Sequence, residues 1–169
     1  VDGLQALAAR GVLHHNLSPD NLLLVHGRAG DEIKVLGFGT AAFRPEGSPP
    51  TRAPREGLTF QAPELLHQPG AGGPADWRSD LYSLNLIVCH LLGARVTPPD
   101  FPEVDLPPSV REGLHDPEPL RLMLLSGLRH SPDQRPASYD AVRQAFVAAL
   151  HGGGSGGPDV TAPIPETIP

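Results

Sequence analysis

Apolar residues fall along this chain in short runs whose spacing changes from helical to alternating and back. Leu4, Leu7 and Ala8 stand at helical spacing over residues 4 to 10, and Gly11 follows where a helix C-terminal glycine belongs, so a short helix is expected to end there. Two apolar runs, Asn21 to His26 and Glu32 to Leu36, flank Gly27-Arg28-Ala29-Gly30-Asp31, a loop whose glycines and aspartate can supply the turn of a β-hairpin. From Arg44 to Arg55 the chain is rich in Pro, Arg, Gly and Ser without any period, which reads as a mobile surface loop, and a second break runs from Gln68 to Pro74.

Asp76 or Ser79 can cap a helix that continues through Leu81, Leu84, Ile87, Val88, Leu91 and Leu92 and ends at Gly93. Its apolar residues nearly encircle the axis, so this helix is expected at the buried centre of the domain. A proline-broken stretch from Pro98 to Pro108 follows. Leu120, Met123, Leu124 and Leu128 then mark another helix, and Val142, Ala145, Phe146 and Ala149 a last one. The pattern predicts a mainly α fold with a small β-hairpin, one domain over residues 1–150 and a flexible Gly/Pro-rich tail over 151–169.

Composition narrows the classes of function. The 169 residues suit one domain that folds with neither disulfides nor a metal. With 13 basic and 19 acidic side chains the formal net charge is -6, and no stripe of Lys or Arg selects nucleic acid or an anionic membrane. Cys89 is the only cysteine, which rules out an intrachain disulfide or a thiolate metal site and fits a reducing, cytoplasmic setting. The longest apolar stretch, Leu84 to Leu92, is interrupted by Asn85 and His90 and falls far short of the roughly 20 residues that span a bilayer. The opening Val1-Asp2-Gly3 has no Met and no signal pattern, so the chain is expected to begin inside a larger protein.

Five segments in this order carry recognisable chemistry. His14-His15-Asn16-Leu17-Ser18-Pro19-Asp20-Asn21 resembles the catalytic loop H-R-D-L-K-P-x-N of eukaryotic-type protein kinases, and Leu36-Gly37-Phe38-Gly39 stands where the D-F-G of that family follows the hairpin. Ala62-Pro63-Glu64 matches the A-P-E that closes the activation segment, here residues 37–64. Ser79-Asp80-Leu81-Tyr82-Ser83-Leu84 resembles the opening of the central helix, and His130-Ser131-Pro132-Asp133-Gln134-Arg135-Pro136 the late D-P-x-x-R-P segment. Taken singly, Pro63-Glu64 is a common helix start and Asp80 an ordinary helix cap. Together the five cover residues 1 to about 150 and resemble the large, C-terminal lobe of a Ser/Thr-type kinase, with the small lobe absent and expected upstream of Val1.

The resemblance implies a role for each matching residue. Glu64 would pair with Arg135 as a structural clamp, Asp80 would accept hydrogen bonds from the catalytic-loop backbone, and His14 would pack in the core beside Phe38. His15 replaces an arginine that grips an activation-loop phosphate in many relatives, and it lacks the bidentate fork. Ser48, Thr51 and Thr59 are the candidate phosphosites.

Kinase chemistry needs a catalytic-loop aspartate as base, a lysine two residues on, an asparagine for one Mg²⁺ and the D-F-G aspartate for the metals on the phosphates. This chain offers Asn16, Ser18, Asn21 and Gly37 there. A carboxamide is no carboxylate base, a hydroxyl carries no positive charge, and glycine has no ligand atom. Asn21 alone keeps the family's type, as a metal ligand or as a brace for its loop.

Two functions follow from the resemblance. One is a pseudokinase: a regulatory or scaffolding module that binds another protein and needs no cofactor. The other is an atypical or fragmentary active Ser/Thr kinase using ATP and Mg²⁺ with relocated groups.

Overall fold

In the longest helix, Asp76 takes up an amide that the first turn cannot satisfy internally. Its Oδ1 accepts the Arg78 N–H at 2.7 Å and starts the helix Trp77–Leu92, which we label α3 by its place in the chain. Gly93 ends it in the left-handed conformation, φ 66°, and the Ala94 N–H closes onto the Cys89 carbonyl at 2.9 Å. The computed structural model describes residues 1–28, 30–38, 42–43, 60–66, 75–97 and 103–151. The expected mobile loop at Arg44 to Arg55, the break from Gln68 to Pro74, Ser48, Thr51, Thr59 and the tail after Gly152 lie outside the described residues, as does most of 37–64.

Before α3 come α1 (Asp2–Ala8), β1 (Val12–Leu13), the hairpin of β2 (Leu22–Gly27) and β3 (Gly30–Val35), β4 (Ala42–Phe43) and α2 (Pro63–Leu66). After it come β5 (Arg95–Val96), β6 (Val104–Asp105), α4 (Pro108–Gly113), α5 (Pro117–Gly127) and α6 (Tyr139–His151). The described residues form a mainly helical fold with three two-stranded antiparallel sheets, β1 with β4, β2 with β3 and β5 with β6.

Two apolar clusters hold it together. Leu81, Tyr82, Leu120, Met123, Leu124 and Val142 bring α3, α5 and α6 into one core, and Leu4, Leu17, Ile87 and Tyr139 seat α1 and the following loop on the other side of α3. The α3 axis is therefore central, but its apolar residues do not all face inward. Leu91 is 69% exposed, on the outward face of a last turn whose Cys89 is buried and whose Leu92 packs against the core.

The hairpin pairs from Leu22 with Val35 to Gly27 with Gly30, so its strands extend past the expected runs by Gly27 on one side and by Gly30 and Asp31 on the other. Only its base packs: Leu22 and Val35 lie against the second cluster, while Leu23, Leu24 and Ile33 are exposed.

The stretch read as proline-broken holds more structure than expected. Val96 pairs with Val104, Val104 and Leu106 turn inward, and Pro108 opens α4 at a position where its missing N–H matters least. Cys89 is core, and burial pushes its thiol up to about 11, which leaves it unreactive.

Gly127 lies where α5 crosses α3, and a β-carbon there would meet the buried Asn85 side chain, 2.5 Å from its Cγ. Asn85 is buried and its Nδ2 donates to the Leu81 carbonyl at 2.9 Å, so moving its side chain aside would break a buried bond. Helix propensity favours Gly127→Ala by about 1 kcal/mol, whereas overpacking a rigid core costs about 1–3 kcal/mol. We expect net destabilisation by roughly 1 kcal/mol in urea melts, relieved when Asn85→Ala is added. A stabilised Gly127→Ala would show that the helices are not in contact there.

Candidate functional site

Arg135 enters the interior from the loop after α5 and meets Glu64, the second residue of α2. The pair is bidentate: one terminal guanidinium nitrogen lies 2.6 Å from Oε1 and the other 2.8 Å from Oε2. The remaining donors go to backbone carbonyls, Nε to Arg129 at 2.8 Å and the terminal nitrogens to Arg78 at 3.0 Å and His130 at 2.9 Å. All five N–H groups of the guanidinium are thus matched. Tyr82 lies under it with the ring centroid at 4.9 Å, and the Ser79 hydroxyl donates to Glu64 Oε1 at 2.7 Å. Burial pushes the Glu64 carboxyl up, but the hydrogen bonds and charge of Arg135, with Ser79, outweigh it and hold the group below the usual carboxylate range.

One residue along α3, Asp80 points the other way. Its two carboxylate oxygens accept the backbone N–H groups of His14 and His15, each at 2.7 Å. That bond holds His15 in the left-handed region, φ 57°, and turns the chain into the loop that follows β1. The His15 side chain is buried, the environment opposite to that of an arginine reaching for a loop phosphate.

His14 is fully buried; its Nε2 donates to the Leu36 carbonyl at 2.7 Å, and its Nδ1 accepts the Asn16 N–H at 3.3 Å, which fixes the tautomer. Phe38 meets the His14 ring edge-on at 5.0 Å but remains 42% exposed.

Asn16, Ser18, Asn21 and Gly37 gather at the mouth between this loop and the base of the hairpin. A 3₁₀ turn over Pro19–Asn21 leads directly into β2, so Asn21 lies beside the other end of the hairpin. Its carbonyl accepts the Leu36 N–H at 2.8 Å, and its Nδ2 donates to the Asn16 carbonyl at 2.8 Å. Ser18 is buried and Asn16 half-buried. Gly37 takes φ 81°, and the Asn21 carboxamide lies directly against it. The arrangement offers hydrogen-bonding amides and one hydroxyl at these four positions and no carboxylate. Among the described residues no group of three or more His, Cys, Asp or Glu could hold a metal ion, and no helix is long and apolar enough to cross a membrane.

Sequence reasoning did not find the His14 bond to Leu36, the Ser79 bond to Glu64, the stacking of Tyr82 on Arg135 or the contact of Asn21 with Gly37. Only Ser79 carried a usable signal, as the residue beside Asp80 on a helix start already tied to the loop.

This geometry is that of a kinase-like large lobe, and comparison with known proteins agrees. No protein-family model matches the chain. It is 35% identical over 163 residues to the serine/threonine-protein kinase Pkn1 of Myxococcus xanthus, covering 88% of this chain and 23% of that protein. It is 30% identical over 174 residues to the serine/threonine-protein kinase PknJ of Mycobacterium tuberculosis, covering 94% of this chain and 28% of that protein. Human ribosomal protein S6 kinase alpha-4 is 39% identical over 88 residues, covering 51% of this chain and 11% of that protein. The chain's homologues are thus Ser/Thr protein kinases, consistent with a kinase-like fragment, and it spans 11% to 28% of the length of these curated relatives.

Arg135→Ala should destabilise the domain by roughly 3 kcal/mol by leaving Glu64 buried and unpaired. Denaturant melts of Arg135→Ala, Glu64→Ala and the double variant measure it, and three unchanged midpoints would refute the pairing.

Asp80 gives a pH signature. Burial pushes its carboxyl up to about 6 from the usual 3.8, against the pull of the two donated amides. An acid raised in the folded state binds more protons folded than unfolded, so its contribution to stability falls as pH rises through that window. The advantage of the wild type over Asp80→Asn should therefore shrink by roughly 2 kcal/mol between pH of about 4 and about 7. Glu64 cancels from this difference. Paired urea melts at the two pH values check it, and a constant or growing advantage contradicts it.

Proposed function

We propose that this chain is the large lobe of a pseudokinase, a kinase-like module that does not transfer phosphate and acts by binding another protein in a regulatory or scaffolding role. One observation carries the reading. The buried bonds that shape the lobe, Glu64 with Arg135 and Asp80 with the His14 and His15 amides, are complete, while the neighbouring positions hold Asn16, Ser18 and Gly37.

Phosphoryl transfer consists mostly of positioning and of neutralising a strongly anionic group with metal ions and cationic side chains. Gly37 supplies no metal ligand, Ser18 no positive charge, and Asn16 no base for the substrate hydroxyl. On this reading neither ATP nor Mg²⁺ is required, and the partner is a protein.

The alternative, an active Ser/Thr kinase with relocated catalytic groups, rests on the kinase names of the relatives. Both are tested by radiolabelled phosphate transfer to a generic Ser/Thr substrate. The intact protein should show no turnover above background, and returning any one of Asn16→Asp, Ser18→Lys or Gly37→Asp should help little, since groups that act as a unit are not additive. Turnover by the unmodified protein near about 1 s⁻¹, the low end for ordinary kinases, would establish the alternative.

A further inference from the structure

The replacement at position 37 has a physical consequence beyond a missing ligand. Gly37 sits at φ 81°, a conformation that costs a side-chain-bearing residue energy by itself, and the space its side chain would enter is already filled. A β-carbon at 37 would lie 2.6 Å from Asn21 Cγ and 3.0 Å from Nδ2, with Oδ1 nearer still. All three atoms belong to one planar carboxamide, so no small rotation of its end removes the overlap.

Nor is that carboxamide loose. Its Nδ2 donates to the Asn16 carbonyl, and its own backbone is fixed at both faces, the N–H to the Ser18 carbonyl at 3.0 Å and the carbonyl to the Leu36 N–H at 2.8 Å. The Leu36 carbonyl is held in turn by His14 Nε2. Residues 21 and 37 are thus brought together by the bonds of Asn21 and of Leu36, the residue before Gly37.

We infer that Asn21 and Gly37 are a matched pair that closes the divalent-cation position of this lobe, the Asn21 carboxamide standing in the volume that a carboxylate at 37 would need. This rests on the pseudokinase reading for its functional meaning and on packing alone for its test. The two residues that the family uses as metal ligands do not fit a metal here: one has no ligand atom, and the other lies against its backbone. Restoring aspartate at 37 meets Asn21 before it meets any ion, so Asn21 turns from a retained ligand into an obstacle.

The test is a coupling measurement in the intact protein. Gly37→Ala should lower the melting midpoint by roughly 5 °C when Asn21 is present and by less than half as much in an Asn21→Ala background. The strain of positive φ is common to both backgrounds, and the overlap is present only in the first. Equal shifts overturn the inference, because the loss would then be backbone strain alone. The unmodified protein supplies a second readout: with Asn and Gly isotopically labelled, NMR should show a nuclear Overhauser contact between the Asn21 side-chain amide protons and the Gly37 α-protons. Its absence overturns the pairing even if Gly37→Ala does not fold. Neither readout involves phosphate transfer, so a failed pairing and a failed pseudokinase reading are told apart.

Discussion

A guanidinium has five N–H donors and cannot shed its proton, so a buried arginine dictates the positions of everything around it. At Arg135 those demands are met by a carboxylate and three carbonyls from separate parts of the chain: α2, the first turns of α3, and the loop between α5 and α6. None of these can shift without stranding a charge or a donor in the interior, which costs several kcal/mol. Such a pair is weak evidence of net stability, since a well-packed apolar replacement can be as stable. Its contribution is geometric, because it admits one register of α2 against α3.

From there the constraint passes to the loop through two successive residues. Ser79 reaches Glu64 and Asp80 reaches the His14 and His15 amides, so adjacent positions of α3 hold opposite walls of the site. Asp76 anchors that same turn by its cap. The loop then passes its position to the hairpin through His14 with Leu36 and Asn21 with Leu36, and the hairpin in turn sets Gly37. The chain of polar contacts runs from the buried Arg135 to the partly buried base of the hairpin, with its bonds at short distances.

How much of this the sequence discloses depends on the range of the interaction. The helices around Leu81, Met123 and Val142 follow from apolar spacing, and the ends of α3 from Asp76 and Gly93, because these are local rules read within one or two turns. Glu64 with Arg135, 71 residues apart, and Asp80 with His14, 66 apart, are visible only through the resemblance to a kinase lobe, since no local rule joins them. The short β5 and β6 strands escaped because prolines on either side hid an alternation of only a few residues. Leu91 departs from the expected all-round burial because one face of α3 stays open there, while Cys89 and Leu92 in the same turn pack inward. The contact of Asn21 with Gly37 has no sequence signal of its own, as a glycine in a motif reads as a missing side chain and not as a filled space.

The replaced positions lie outside the buried network that shapes the lobe. Asn16 contributes its backbone carbonyl and N–H, and neither it nor Gly37 has a side chain among the bonds of Arg135 and Asp80. Ser18 likewise enters through its carbonyl, to the Asn21 N–H. Side chains at these positions can therefore change at little cost to the fold, because the loop is held by main-chain bonds. Asn21 is the exception, with its side chain in both sets: it braces Asn16 and fills the space beside Gly37. On the proposed pseudokinase reading, a residue in that position keeps its bracing role without binding an ion, which would account for one familiar side chain among three unfamiliar ones.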